Sequence, residues 1–289
     1  MMYYGAVEAG GTKFVCAVSD ENFDIIHRVS IPTTSPSETL SHVFEFFNQY
    51  SLQSIGIGSF GPIDVNKDSD KYGYITSTPK PGWGYFDFIG TMKEKYNIPM
   101  AWTTDVNAAA YGEFRQGSAK ENGSCLYLTV GTGIGGGAVV DGNVLEGFGH
   151  PEMGHILVRK HPDDSYEGVC PYHQNCLEGV ASGPAIEKRY NKKAQELASD
   201  QKVWELEAYY IAQALVNYTL ILRPEKFILG GGVMKQEQLF PLIRQQFVTL
   251  LSDYVDTPAL EKSIVMPELE DNAAITGCLL LAAEAKEQI

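Results

Sequence analysis

A strand, a glycine turn and a second strand follow one another twice along this 289-residue chain. The first copy lies in residues 5–18 around Ala9-Gly10-Gly11-Thr12, and the second lies in residues 128–140 around Gly131-Thr132-Gly133. Tight glycine turns of this kind join the two strands of a hairpin. We interpret the two copies as a weak internal duplication with one copy per domain, and the chain length also predicts roughly two domains at about 150 residues each.

Strands and helices alternate along the chain, so the predicted fold class is α/β. Strand-like runs cover residues 3–7, 13–18, 24–31, 54–59, 100–104, 124–130, 138–141 and 227–229. A helix is predicted to start at Ser35-Pro36-Ser37-Glu38, with Ser35 as its cap and proline in its first turn. A long buried helix is predicted from Trp204 to Leu222, ended by Arg223-Pro224, and a last helix over residues 271–285.

The second glycine turn contains the pattern G-x-G-x-x-G, which alone is a weak signal for a dinucleotide-binding fold. That fold requires a helix directly after the glycines. Here a strand and the turn Asp141-Gly142 follow instead, and no Walker A sequence occurs anywhere in the chain. The segment therefore predicts a hairpin, and a dehydrogenase of the Rossmann type is excluded.

A third glycine turn, Gly230-Gly231-Gly232, follows another predicted strand. One such turn alone indicates only tight backbone geometry. Three of them at strand ends, two of them with a threonine, favour phosphate binding, because glycine lets backbone N–H groups approach phosphate oxygens and threonine adds a hydroxyl. The turns therefore predict that a nucleotide is held between the two domains.

The charge of the chain limits its partners. Lys and Arg number 22 and Asp and Glu number 36, which gives a net charge of −14. Such a chain has no broad basic surface for nucleic acid or acidic membranes, so an anionic ligand must be held by backbone N–H groups, a metal ion or a few local cations. The sequence has no long apolar run and no secretion signal, which predicts a cytoplasmic protein. Its five cysteines are not expected to form a disulfide framework.

Two carboxylates stand beside these turns. Asp105 follows the predicted strand Met100–Thr104 and precedes a helix, so it is either the N-cap of that helix or a base at the carboxyl end of a strand. Glu8 precedes the first glycine turn, where it could orient hydrated Mg²⁺ or serve only as a polar turn residue.

Soft metal ligands are concentrated in residues 150–173, which hold four of the six histidines. Cys170, His173 and Cys176 are spaced three residues apart, and His155 lies fifteen residues upstream of Cys170. Together they provide the four nitrogen and sulfur ligands of a structural Zn²⁺ site. His161 or His150 could replace His155. Four protein ligands leave no open position, so the zinc is expected to order a loop rather than activate water.

Glu152 and Glu178 flank this cluster, three residues before His155 and two after Cys176. Zinc would hold both carboxylates near one place, and paired acceptors of this kind suit the neighbouring hydroxyls of a sugar. Either glutamate alone could instead be a solvated surface residue.

Taken together, these motifs resemble the ROK family (repressor, open reading frame, kinase) of sugar kinases, and within it the fructokinases. The resemblance runs in family order over nearly the whole chain and is carried by Glu8-Ala9-Gly10-Gly11-Thr12-Lys13, Phe60-Gly61-Pro62, Thr78-Pro79-Lys80-Pro81-Gly82-Trp83, Asp105-Val106-Asn107-Ala108-Ala109-Ala110, Gly131-Thr132-Gly133-Ile134-Gly135-Gly136-Gly137, Glu152-Met153-Gly154-His155, Cys176-Leu177-Glu178 and Gly230-Gly231-Gly232-Val233.

The resemblance implies the actin-like ATPase fold, of the hexokinase and ribonuclease H type, with two α/β domains and a cleft between them. The first domain would cover residues 1–117 and be joined by the C-terminal helix at about residues 272–289. The second would cover residues 118–271 and contain the zinc loop at about residues 150–178. A homodimer is implied as well.

The implied activity is the ATP- and Mg²⁺-dependent phosphorylation of a hexose, most closely fructose to fructose 6-phosphate, with Asp105 as the base. The nucleotide would be bordered by Gly11, Thr12, Lys13, Thr132, Gly133, Pro184, Gly231 and Gly232. The sugar would be bound by Gly61, Pro62, Asp105, Glu152, His155 and Glu178. Zn²⁺ would be held by His155, Cys170, His173 and Cys176.

The chain also departs from the family pattern. Many relatives have aspartate where this chain has Glu8, and many have three cysteines at the zinc site, where His173 stands here. Glucokinase-like members often have asparagine before the base, whereas this chain has Thr104, which favours a sugar other than glucose. Mannose, glucose or an N-acetylated hexosamine are the alternative substrates, and a non-catalytic sugar sensor is the alternative of another class.

Overall fold

Two five-stranded sheets, each starting from a glycine hairpin, form the framework of the computed structural model, which describes residues 2–287. The strands are β1 (Tyr3–Ala9), β2 (Lys13–Ser19), β3 (Ile25–Pro32), β4 (Leu52–Ser59), β5 (Tyr74–Ile75), β6 (Phe86–Asp87), β7 (Met100–Thr104), β8 (Ser124–Val130), β9 (Ile134–Val140), β10 (Asn143–Val144), β11 (Lys226–Gly230) and β12 (Ile264–Val265). The helices are α1 (Pro36–Phe47), α2 (Phe88–Lys95), α3 (Asp105–Gln116), α4 (Leu177–Ala181), α5 (Gly183–Tyr190), α6 (Gln201–Leu222), α7 (Leu239–Leu251), α8 (Leu260–Ser263) and α9 (Ala273–Glu287).

The described residues divide into two compact units. The first unit contains the residues up to Gly117, the segment Val144–Pro151 and the residues from Asp271 onward. The second unit contains Ser118–Asn143 and Glu152–Glu270. Residues 144–151 thus group with the first unit, whereas the resemblance implies a second domain, 118–271, that includes them.

In the first unit the strand order is β3-β2-β1-β4-β7. β1 and β2 are the antiparallel hairpin, while β4 and β7 continue the sheet in parallel with β1. Helices α3 and α9 pack against each other, and α9 also packs on β1 and β4. Their approach is close enough that a Cβ at Gly277 would overlap the carbonyl oxygen of Ala108. The carboxyl ends of the parallel strands therefore meet at one edge, where α/β sheets place their chemistry.

The second unit repeats this arrangement with the strand order β10-β9-β8-β11-β12. β8 and β9 form the antiparallel hairpin, and β11 and β12 run parallel to β8. The 22-residue helix α6 buries a long apolar face, including Trp204 at 1% exposure, and packs on α7. The same order in both sheets confirms the internal duplication that the glycine turns predicted.

Most predicted elements agree with the structure to within a few residues, and the predicted start of α1 is confirmed, with Ser35 at the N-cap and Pro36 in the first turn. The Ser35 side chain, however, accepts no capping hydrogen bond from the described residues. Its hydroxyl lies 3.4 Å from that of Ser37 instead, and the Oγ1 of Thr39 accepts a hydrogen bond from the Thr34 N–H.

None of the helices within residues 2–287 combines the length and the apolar character that crossing a membrane requires.

Candidate functional site

The strand-to-helix junction at Asp105 decides between the two interpretations of that residue. The N-cap of α3 is Thr104, whose Oγ1 accepts a hydrogen bond from the Asn107 N–H at 3.1 Å. Asp105 is the first helical residue, is half-buried, and accepts a hydrogen bond from the Val106 N–H at 2.8 Å. Capping therefore falls to Thr104, and the interpretation of Asp105 as the N-cap is wrong. A carboxylate at the end of β7 is compatible with the role of a base.

Glu8 belongs to the same edge of the sheet. The strand register places Glu8 beside Gly58 and Gly58 beside Thr103, two residues before Asp105. Burial raises the pKa of Glu8, while the positive charges of Arg28 and Lys13 lower it. A half-buried carboxylate at this edge supplies the oxygen ligand that Mg²⁺ prefers, so Glu8 could contribute to a magnesium site.

The first glycine turn is held by its own backbone. The Gly10 N–H donates to the carbonyl oxygen of Lys13 at 3.0 Å, and a Cβ on Gly10 would lie 2.7 Å from that oxygen. The Thr33 N–H donates to the carbonyl oxygen of Thr12 at 3.0 Å. The side chains of Thr12 and Lys13 are exposed and Gly11 is half-buried. The turn therefore has a fixed shape and a bare backbone that a phosphate can approach.

The second unit brings its glycine turns together. The Gly131 N–H donates to the Gly133 carbonyl at 2.9 Å, and the Gly183 N–H donates to the Gly131 carbonyl at 2.8 Å. A Cβ on Gly131 would lie 3.8 Å from the Gly232 backbone nitrogen. The segments that carry the predicted nucleotide residues Thr132, Gly133, Pro184, Gly231 and Gly232 are therefore neighbours.

Sequence reasoning missed Ser182 and Gly183 in this group. Ser182 is the N-cap of α5, where its Oγ accepts a hydrogen bond from the Ala185 N–H at 3.4 Å. Pro184 stands in the first turn of that helix. Serine followed by glycine and proline is a helix-start signal that the sequence does contain, and the N–H groups of such a helix start are a suitable anion site.

The predicted metal ligands converge in the second unit. One ligand atom from each of His155, Cys170, His173 and Cys176 lies within 4.8 Å of the others. His155 Nδ1 lies 3.7 Å from Cys170 Sγ and 3.6 Å from Cys176 Sγ, and His173 Nδ1 lies 3.8 Å from Cys170 Sγ. A tetrahedral zinc ion with bonds of about 2.0–2.3 Å separates its ligands by about 3.3–3.8 Å. The donor set and its spacing could therefore hold Zn²⁺.

Local backbone geometry builds this cluster. The Gln174 N–H donates to the Cys170 carbonyl at 3.0 Å, which closes the turn that carries His173. Gly168 has a φ of +105°, and a Cβ there would overlap the carbonyl oxygen of Gln174. Cys176 caps α4, with its Sγ accepting from the Gly179 N–H at 3.4 Å.

The structure also decides which histidine joins the cysteines. His155 lies in the cluster, whereas His161 Nδ1 accepts a hydrogen bond from the Asp163 N–H at 3.2 Å and its ring packs edge-on against Tyr209. His150 accepts a hydrogen bond through Nε2 from the Ile63 N–H at 3.0 Å in the first unit. His155 is therefore the histidine placed to complete the ligand set.

Glu178 connects the cluster to the second glycine turn. Its Oε2 accepts a hydrogen bond from the Ile134 N–H at 2.9 Å, and its Oε1 lies 4.0 Å from His155 Nε2. A Cβ on Gly133 would lie 2.7 Å from that Oε2, so any larger residue at this position would displace the carboxylate from the turn. Glu152 is exposed, and its backbone carbonyl accepts a hydrogen bond from the His155 N–H at 3.0 Å.

The predicted sugar turn at Gly61-Pro62 lies in the first unit. The Pro62 carbonyl accepts hydrogen bonds from the N–H and hydroxyl of Thr76 at 2.8 and 3.0 Å. The Ile63 N–H bonds to His150, as described above. Two side chains thus fix the backbone of this turn. The predicted site residues are divided between the two units, with Asp105, the first glycine turn and this turn in the first unit.

Comparison with known proteins identifies relatives over the full length. The sequence model described as "ROK family" matches residues 4–285. The chain is 50% identical over 284 residues to the fructokinase of Pediococcus pentosaceus, covering 98% of this chain and 99% of that protein.

Solved structures give the same relationship. The ROK hexokinase of Thermus thermophilus is 26% identical, with a TM-score of 0.84 and 100% of each chain covered. A ROK family glucokinase of Streptomyces griseus, in complex with glucose and AMPPNP, is 24% identical, with a TM-score of 0.78 and coverage of 98% of this chain and 99% of that one. The fold is thus the actin-like ATPase fold, and this chain belongs to the ROK family.

Proposed function

We propose that this protein is a fructokinase that transfers the γ-phosphoryl group of ATP to the 6-hydroxyl of fructose. The observation that carries this proposal is the 50% identity to a fructokinase over nearly the whole of both chains. Three features of the structure support the proposal: the exposed backbone of the glycine turns, the carboxylate of Asp105 at the end of β7, and the cluster of His155, Cys170, His173 and Cys176.

Asp105 is the proposed base. In this proposal its carboxylate accepts the proton of the sugar hydroxyl as the hydroxyl oxygen bonds to the γ-phosphorus and the bond from that phosphorus to ADP breaks. Phosphoryl transfer depends mainly on positioning and charge neutralisation. Its position supports this role, since Thr104 provides the helix cap and leaves Asp105 at the edge of the sheet.

The phosphates are proposed to bind at the glycine turns. Backbone N–H groups at Gly11 and Thr12, together with Lys13, would contact them in the first unit. Thr132, Gly133, Pro184, Gly231 and Gly232 would border the nucleotide in the second unit. Mg²⁺, with Glu8 as a candidate oxygen ligand, supplies neutralisation of the phosphate charge when bound.

The sugar is proposed to bind to Gly61, Pro62, Asp105, Glu152, His155 and Glu178. Glu178 and His155 support this role, because Glu178 is held by the Ile134 N–H with its second oxygen directed toward the His155 ring. His155, Cys170, His173 and Cys176 would hold Zn²⁺, which would order this loop. The two Nδ1–Sγ distances at His155 support that ligand set.

The test is a phosphorylation assay with the purified protein, Mg-ATP and fructose, in which ³¹P NMR identifies the product. We expect one fructose 6-phosphate for each ADP released. Binding of fructose without any sugar phosphate would indicate a non-catalytic sugar sensor, and phosphate on another hydroxyl would contradict the proposed position of transfer.

A cytoplasmic location and a homodimer complete the proposal. The location is inferred from the sequence, and the dimer is implied by the resemblance to the family. Size-exclusion chromatography with light scattering measures the dimer directly, and a mass of 31.8 kDa in solution, that of one chain, would contradict it.

A further inference from the structure

The motif Thr78-Pro79-Lys80-Pro81-Gly82-Trp83 has no role in the mechanism above, although it places a cation at the first glycine turn. A Cβ built on Gly11 would lie 3.1 Å from Lys80 Cε and 3.7 Å from Lys80 Nζ. Gly11 and Lys80 are both half-buried. The ammonium group of Lys80 therefore lies beside the bare backbone that is proposed to receive a phosphate.

This position is fixed by the packing of the loop. Trp83 is fully buried, donates from Nε1 to the Thr34 carbonyl at 2.7 Å, and packs against Phe14 with ring centroids 5.3 Å apart. Phe14 follows the glycine turn on β2. The Trp83 N–H donates to the Lys80 carbonyl at 3.1 Å, and the Lys80 N–H donates to Thr78 Oγ1 at 3.3 Å. The loop is thus anchored to the strand that leaves the turn.

The charge of Lys80 has no partner among the residues that the structure describes. Within residues 2–287, no acceptor lies within hydrogen-bond or ion-pair distance of its Nζ. By contrast, Arg115 pairs with Glu284 at 3.0 Å and Arg189 pairs with Asp164 at 3.1 Å. In a chain of net charge −14, an unpaired and half-buried ammonium beside a glycine turn is suited to an anionic ligand.

We propose that Lys80 binds a γ-phosphate oxygen of ATP at the turn formed by Gly10, Gly11 and Thr12. This inference rests on the proposed function and adds a phosphate-binding residue to it. The chemistry is that of a lysine contacting the transferred group, where a positive charge neutralises the phosphoryl oxygens as the bond to ADP breaks. Because ADP lacks the γ-phosphate, Lys80 contributes to binding of the triphosphate and little to binding of the diphosphate.

The experiment compares wild-type protein with Lys80→Met, which keeps the length of the side chain and removes its charge. Isothermal titration calorimetry measures the affinity for Mg-AMPPNP and for Mg-ADP, and a coupled assay measures kcat with fructose. We expect Lys80→Met to weaken AMPPNP binding about 10-fold to 100-fold, as for a lost charged hydrogen bond. ADP affinity should change less than about threefold, and kcat should fall about 100-fold to 1000-fold.

Lys93→Met is the matched control, because Lys93 is an exposed lysine of α2 in the same unit. It should leave both affinities and kcat unchanged. Lys80→Arg keeps the charge and should retain most of the AMPPNP affinity. If Lys80→Met weakens ADP and AMPPNP equally, or changes neither, the proposal is wrong. Circular dichroism checks the fold, and Lys80→Gln replaces Lys80→Met if that variant does not fold.

The failure of this inference is distinguishable from the failure of the proposed function. Absence of any phosphorylated sugar with the wild-type protein would overturn the proposed function. The ratio of AMPPNP to ADP affinity would still decide the role of Lys80, because it requires no sugar and no turnover.

Discussion

Asp105 can be tested apart from the helix that it begins. Asp105→Asn keeps the size of the side chain and its acceptor oxygen for the Val106 N–H, but removes the base. Positioned proton transfer contributes about 10²–10⁴-fold to rate, so kcat should fall by that factor while the Kd for fructose changes little. Initial-rate kinetics and calorimetric titration with fructose measure the two quantities.

Two further variants distinguish loss of the base from loss of structure. Asp70→Asn alters an exposed aspartate of the same unit and should keep full activity. Thr104→Ala removes the cap of α3 and should lower the free energy of unfolding by about 1 kcal/mol. Near-full turnover in Asp105→Asn would show that another group accepts the proton.

A buried glutamate on α6 predicts a pH dependence of stability. Glu207 is 1% exposed, and both of its carboxylate oxygens are buried with no hydrogen-bond partner in the described part of the chain. Burial raises the pKa of Glu207 well above its ordinary value of 4.5, and the Arg189 charge opposes this only in part. The folded state therefore favours the protonated form of Glu207. At a pH below 4.5 this carboxyl group does not destabilise the fold, but as pH rises from 4.5 toward the raised pKa of the folded state, the free energy of unfolding falls.

Glu207→Gln resembles the protonated acid and should remove this loss. We expect the Tm of Glu207→Gln to exceed that of the wild type by more at pH 8 than at pH 5. Each kcal/mol gained in the free energy of unfolding should raise Tm by about 2–4 °C. Differential scanning calorimetry at the two pH values measures the effect. An equal difference in Tm at both pH values would show that ionisation of Glu207 does not destabilise the fold.

The sequence limits the metal ligands to a few candidate residues but does not choose among them. The metal-ligand types and their spacing were visible, but the choice among His150, His155 and His161 depends on tertiary contacts such as the bond from the Ile63 N–H to His150. The hydrogen bond from the Ile134 N–H to Glu178 joins residues 44 positions apart, so no local sequence pattern predicts it.

At the scale of elements, the turn after β11 separates structural from binding roles of glycine. Gly231 has a φ of +92°, and a Cβ there would overlap the carbonyl oxygen of Val130. Gly232 has a φ of −62° and no atom within 4 Å of the Cβ position. Gly231→Ala should therefore destabilise the protein by about 1–3 kcal/mol, while Gly232→Ala should change stability by less than about 0.5 kcal/mol.

If the nucleotide approaches this turn, Gly232→Ala should nevertheless raise the KM for ATP, because the new methyl group occupies open space at the site. Urea denaturation measures stability, and initial-rate kinetics measures the KM. An unchanged KM for ATP in a stable Gly232→Ala protein would remove this turn from the nucleotide site.

The metal loop gives a second prediction at this scale. Cys176→Ser keeps an oxygen that can cap α4 in place of the sulfur, but removes a thiolate ligand. Zinc content should fall below one ion per chain, and the KM for fructose should rise more than the KM for ATP, because the loop carries Glu178 and His155. Mass spectrometry of the metal and steady-state kinetics measure these effects.

Cys16→Ala supplies the control for this variant, since Cys16 is a buried cysteine of β2 outside the cluster. It should keep the full zinc content. A Cys176→Ser protein that is free of zinc and has an unchanged KM for fructose would exclude a role of the metal loop in sugar binding.

Elements with a clear period or a clear boundary were predictable, and the others were not. β7 and β8 have the predicted bounds, and α6 ends where Arg223-Pro224 was expected to end it. β9 begins four residues earlier than predicted, because glycines 135–137 weaken its strand pattern. The structure uses one of them for packing, since a Cβ on Gly136 would lie 2.8 Å from Met153. β5, β6, β10 and β12 have two residues each, too few to show a period.

At the scale of the molecule, the two glycine hairpins predicted the duplication, and the two sheets repeat one strand order. The grouping of Val144–Pro151 with the first unit was not predicted. It depends on contacts far apart in sequence, such as the bond from Ile63 to His150, and not on the local pattern. The sequence therefore predicts which segments form each sheet, but it does not predict which unit the connecting segment Val144–Pro151 joins.

Substrate choice is the property that belongs to the whole molecule. The match to the ROK family covers residues 4–285, but members of this family include both fructokinases and glucokinases, so membership alone does not identify the sugar. Pocket contacts decide between hexoses, and a single hydroxyl or methylene shifts the preference by about 1–3 kcal/mol, or roughly 10-fold to 200-fold. The identity to a fructokinase and the presence of Thr104 before Asp105 both favour fructose over glucose.

We therefore expect kcat/KM for fructose to exceed the values for mannose, glucose and N-acetylglucosamine by about tenfold or more. The measurement is a panel of these sugars with saturating Mg-ATP. The Asp105→Asn variant should lower kcat for every sugar by a similar factor, because the base acts on the transferred proton and not on sugar identity. A higher kcat/KM for glucose, with the same dependence on Asp105, would retain the proposed base and reject fructose as the preferred substrate.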